Sequence, residues 1–96
     1  MRKDIHRIDE TVLCEALIML GYVKCNKQES SQEWRRHQFH LFIRKKGKNT
    51  LALSIHEDTP SSLPPFHRAR HKSKALEYEL NKILDAYQKR RASKSP

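Results

Sequence analysis

Six histidines stand in a chain of 96 residues. His37, His40, His56, His67 and His71 fall among or close to arginines and lysines, and His6 stands apart near the N-terminus. An imidazole moves protons near neutral pH, ligates metals and contacts phosphate. The spacing therefore opens three chemistries. In the first, His40 and His56 work on a bound phosphodiester, one as general acid/base while the other, or Arg44 or Arg36, steadies developing charge. The expected hairpin register puts these two imidazoles roughly 8–14 Å apart, at about 3.4 Å per residue, too far to hydrogen-bond each other. In the second, His67 and His71 share a helix face at i, i+4 if the helix begins that early, and His56 or Asp58 completes a metal site. In the third, the histidines are surface groups among arginines.

These side chains need elements to hold them. Val12, Leu13, Ala16, Leu17 and Leu20 recur at helical spacing. Asp9 reads as the N-cap and Gly21 as the residue just past the end, so a first helix is expected over 10–20. Residues 1–9 read as a polar lead-in. A short strand is expected over 22–25, followed by a polar loop over 26–33. Residues 34–45 and 49–56 alternate with period two and read as two strands joined at Lys46-Gly47-Lys48. Residues 57–66 carry three prolines and read as an irregular loop. Leu76, Leu80, Ile83, Leu84 and Tyr87 predict a second helix from residue 69 or 73 to about 91, with a polar tail over 92–96.

The expected fold is a single α+β domain over 1–91, of order α-β-β-β-α. It has a three-stranded antiparallel sheet with both helices on one face. Odd-numbered hairpin residues face the helices. The open face then carries Trp34, Arg36, Gln38, His40, Phe42, Arg44, Ser54 and His56. A tryptophan at a strand start is more often a core or edge plug than a stacking platform for a base.

The net charge of +9 is uneven. Residues 34–48 hold six basic side chains and no acidic one, and residues 64–96 hold nine basic against three acidic. Residues 1–33 are close to neutral. Arg35, Arg36, Arg44, Lys45, Lys46 and Lys48 in the first block, and Arg68, Arg70 and Lys72 in the second, are the expected phosphate contacts. Such a composition points to nucleic acid as partner ahead of an anionic protein or lipid surface. Cys14 and Cys25 form no CxxC motif, and the N-terminal residues Met-Arg-Lys-Asp lack the apolar core of a signal peptide. The expectation is a cytoplasmic protein with two reduced, partly buried thiols and no membrane partner. The longest apolar stretch, Ala16 to Leu20, is too short to span a bilayer.

The chain resembles the HicA-type mRNA interferase toxins of bacteria and archaea, which have a double-stranded-RNA-binding-domain-like fold. Leu20-Gly21-Tyr22 is similar to the Gly-aromatic end of that family's first helix. His40-Leu41-Phe42-Ile43-Arg44 looks like its catalytic strand, and Leu51-Ala52-Leu53-Ser54-Ile55-His56 like the strand that ends in a second histidine. Gln38-Phe39 stands where the family usually has Gly-Ser. The resemblance implies an RNA-directed domain. It implies metal-free cleavage through the neighbouring 2′-OH with His40 as general acid/base, no cofactor, and an acidic antitoxin-like protein that covers the open face. The alternatives are a non-catalytic binder of double-stranded nucleic acid and a metal-binding histidine cluster.

Overall fold

A computed structural model describes residues 1–25, 31–58, 69–70 and 72–94, the side chains of 69–70 excepted. The element order is β1 Arg2–His6, α1 Glu10–Met19, β2 Val23–Lys24, β3 Ser31–Arg36, β4 Phe39–Lys45, β5 Thr50–Asp58, β6 Ala69–Arg70 and α2 Lys74–Lys94. The α+β class, two helices and antiparallel sheet follow the sequence. The three-stranded sheet does not: six strands pair in the order β1-β5-β4-β3-β2, with β6 also on β5.

Helix α1 forms where its caps place it. The Asp9 carboxylate accepts from the amides of Thr11 at 3.1 Å and Val12 at 3.3 Å, satisfying two donors that no helical carbonyl reaches. At the other end Gly21 takes φ +95°. The Tyr22 amide then donates to Leu17 O at 2.9 Å, and the Gly21 amide to Ile18 O at 3.0 Å. This double closure needs a left-handed residue, which glycine supplies without a Cβ penalty. Helix α2 begins at Lys74 rather than 69, because Ser73 Oγ accepts from the Leu76 amide at 3.0 Å. It runs to Lys94, through most of the expected tail.

Two corrections concern strands. The lead-in is β1, which pairs antiparallel with β5 from Arg2↔Ser54 to His6↔Thr50. Its short polar sequence hides a strand because only Met1, Ile5 and Ile8 turn toward the core. The expected strand over 34–45 is two strands. A two-residue turn at His37-Gln38 joins β3 to β4, with Arg36 opposite Phe39 and Trp34 opposite Leu41. His37 adopts φ +54°, a conformation histidine tolerates better than most residues but which announces no turn in sequence. The turn shifts the parity. Gln32, Trp34 and Arg36 of β3 share the face of Leu41 and Ile43, so Trp34 is buried in the core and Arg36 leaves the open face.

The odd-numbered side of β4 and β5 packs with both helices in one core. Leu13, Leu17, Leu41, Leu53, Ile55, Leu76, Ile83 and Tyr87 are its largest fully enclosed side chains. Tyr87 also accepts the Asp9 amide at 3.0 Å, tying α2 to the start of α1. Among the described residues no helix is long and apolar enough to cross a membrane. Of the expected loops, residues 31–33 belong to β3 and 57–58 to β5, while 26–30 and 59–66, with the last two residues, lie outside the described residues.

Candidate functional site

The side of the sheet away from the two described helices is ordered in rows by strand register. One row runs Arg35, His40, His56 across β3, β4 and β5. The next runs Glu33, Phe42, Ser54, Arg2, and a third Ser31, Arg44, Ala52, Asp4. Asp58 shares the face of His56, two residues further along β5.

His40 and His56 are direct cross-strand partners. The hairpin closes with the Lys46 amide donating to Thr50 O at 3.0 Å, which centres the turn on Lys48, the midpoint of residues 40 and 56. The expected slip of two to four residues is therefore absent. His40 Nδ1 lies 2.9 Å from His56 Nε2, a hydrogen bond whose proton belongs to one ring or the other. His40 Nε2 lies 3.1 Å from Asp58 Oδ2, and His56 Nε2 lies 3.5 Å from Asp58 Oδ1. The rings of His40 and His56 meet edge to face with centroids 4.8 Å apart. Phe42 stacks on His56 at 5.4 Å. The Asp58 amide donates to Gln38 O at 2.8 Å, so the end of β5 is anchored to the turn that precedes His40.

Burial separates the two imidazoles. The His40 side chain is 9% exposed and that of His56 19%. His40, the residue expected to meet substrate, is the enclosed one. His56 stands nearer to solvent.

Beside Phe42 the open face holds a cavity of about 300 Å³, lined by Arg2, Ser31, Phe42, Arg44, Ala52 and Ser54. Two guanidinium groups, two hydroxyls and an aromatic ring face one space, and none of its described lining residues is acidic. This is a donor-rich set suited to an anion.

The remaining expected contacts divide. Arg35 and Arg44 are exposed on the open face, and Lys48 and Lys72 are exposed elsewhere. Lys46 donates to Asp4 Oδ2 at 2.7 Å, which holds that carboxyl below its usual range. Lys45 pairs with Glu10 on the helix side at 3.6 Å. Arg36 is a correction. Its Nη1 donates to Glu79 Oε1 at 3.0 Å, and the Tyr22 hydroxyl donates to the same oxygen at 2.9 Å, so Arg36 is committed to the seam between sheet and α2. Arg68, His67 and His71 lie outside the described residues, as does the side chain of Arg70. The four-residue metal set is thus represented by His56 and Asp58, and His40 joins them. Both cysteines are free. Cys14 is half-buried and Cys25 exposed rather than partly buried.

Sequence reasoning missed Arg2, because residues 1–9 carry no strand alternation strong enough to place it. It also missed the His40–Asp58 approach, which depends on the hairpin register. Comparison with protein-family models, curated proteins and solved structures gives no match for this chain.

Proposed function

We propose that this protein binds the phosphate backbone of nucleic acid, RNA foremost, through the open face of its sheet. The observation that carries the reading is the cavity between Arg2 and Arg44, beside the Phe42–His56 stack. Arginine pairs hold phosphate oxygens in a fixed fork, serine hydroxyls add donors, and the half-buried Phe42 ring offers an aromatic edge to a base. Part of the second basic block is already paired. On α2, Arg90 and Lys94 are engaged with Glu15, and Lys89 with Asp85. The resemblance to HicA-type interferases supports RNA over DNA and an acidic protein partner for the same face.

The histidine pair favours a catalytic version of this reading. In cleavage through the 2′-OH, a base removes that proton, the oxygen attacks phosphorus, and the 5′ oxygen leaves with a proton. Two imidazoles bonded to each other cannot straddle the phosphorus. His56 is the group that meets substrate, and His40, backed by Asp58, orients it.

The test is a titration of duplex and single-stranded RNA and DNA against the protein across salt concentration. With Arg2, Arg35 and Arg44 as contacts, log K falls with log salt at a slope of about −2 to −3. A flat salt response overturns the proposal. His56→Ala leaves this slope in place and abolishes any cleavage; cleavage that survives His56→Ala removes the catalytic version alone.

A further inference from the structure

We propose that His40, His56 and Asp58 form a site for a divalent transition metal, with Zn²⁺ as the preferred ion. The inference does not rest on nucleic-acid binding, and an ion held by these three residues replaces the metal-free role of His56 in the catalytic version. One ligand atom from each residue lies within 4.8 Å of the others. Donors around a tetrahedral zinc stand about 3.3 Å apart, the edge of a tetrahedron with bonds of about 2.05 Å. The observed separations of 2.9 Å between His40 Nδ1 and His56 Nε2, and of 3.5 Å between His56 Nε2 and Asp58 Oδ1, bracket that edge.

A second observation concerns His40 alone. Its Nε2 is fully enclosed and makes no directed hydrogen bond, although Asp58 Oδ2 lies 3.1 Å away. An imidazole binds one ion through one nitrogen, and this enclosed Nε2, 3.1 Å from Asp58 Oδ2, is the alternative His40 donor to Nδ1 for an ion shared with that carboxylate.

The ligand set selects the metal. Two imidazoles suit zinc, iron, nickel and copper better than magnesium or calcium, which prefer oxygen. Two neutral imidazoles and one carboxylate leave the ion a net positive charge. Three protein ligands leave a coordination position for an oxygen donor. The scaffold is rigid: two ligands sit at i, i+2 on β5, and the third is directly across on β4.

The experiment uses tag-free full chain, stripped with a chelator and titrated with Zn²⁺ by calorimetry. Co²⁺ serves in parallel as an absorbing probe of ligand geometry. The expected result is one ion per chain, with the visible bands of low-coordinate Co²⁺. His56→Ala and Asp58→Asn each weaken binding by at least the roughly tenfold that even outer-sphere partners are worth. His6→Ala and His37→Ala leave it unchanged. Because His40 is enclosed, the two more accessible ligands are the reporters, and circular dichroism confirms that each variant is folded. No binding by the stripped protein overturns the proposal. So does affinity unchanged in His56→Ala or Asp58→Asn, or affinity lost in a His67→Ala/His71→Ala variant while His56→Ala retains it. Nucleic-acid affinity is read separately, so failure of the metal site leaves the phosphate reading standing, and the reverse holds.

Discussion

Tyr22 and Arg36 both donate to one carboxylate oxygen of Glu79, which is itself buried. A buried carboxylate is tolerated only when paired and hydrogen-bonded, so the three residues act as a unit between β3 and α2. Burial first, and the Glu79 carboxylate second, push the Tyr22 hydroxyl well above its ordinary value. Tyr22→Phe removes one hydrogen bond to a charged group and is expected to cost about 1.5–3 kcal/mol in urea unfolding. The sign of the pH effect follows. Above the ordinary tyrosine value of 10.0 the unfolded chain releases the Tyr22 proton while the folded chain keeps it, so stability falls as pH rises. Tyr22→Phe should flatten that alkaline decline. A wild-type and variant pair with parallel alkaline curves would show that the hydroxyl is not held as described.

At the scale of elements, local chemistry sets the helix ends and register sets the site. Gly21 is required by its backbone and not by space: a Cβ there would meet only the Arg36 side chain, at 3.7 Å from Nε, an ordinary contact. With φ +95°, Gly21→Ala is expected to lower stability by about 1 kcal/mol, measured by thermal or urea denaturation. No loss would mean that α1 ends differently. The caps of α1 were legible in Asp9 and Gly21 because they act within a few residues. The β3–β4 turn was not, because His37-Gln38 lacks glycine, asparagine or proline. Its trace in sequence is a parity change, from Trp34 on an even position to Phe39 and Leu41 on odd ones, which reads as continuous alternation until the turn is known.

For the whole molecule, the sheet divides the charge. Core and helices occupy one side, and the cavity between Arg2 and Arg44 the other. Net charge alone would let any basic patch serve a polyanion. The proposed interface distinguishes them. Arg2→Glu/Arg44→Glu is expected to weaken RNA binding at low salt by tenfold or more, about 1.4 kcal/mol or above. Lys74→Glu/Lys89→Glu, the same charge change on exposed α2, should cost less than about threefold. Equal losses from both variants in a filter or anisotropy assay would assign binding to bulk charge and remove the open face as the interface.

The sequence by itself determined the α+β class, both helices, the β4–β5 hairpin and its buried face. Those features follow from periodicity, caps and alternation, which act over short stretches. It also singled out His40 and His56 as a pair worth testing. Tertiary structure decided which nitrogen faces which group, that Asp58 joins them, that Arg36 is withdrawn and that Arg2 arrives from the N-terminus. Each of those depends on strand register or on pairing between distant segments. A shift of one residue in register changes the face of every side chain along a strand.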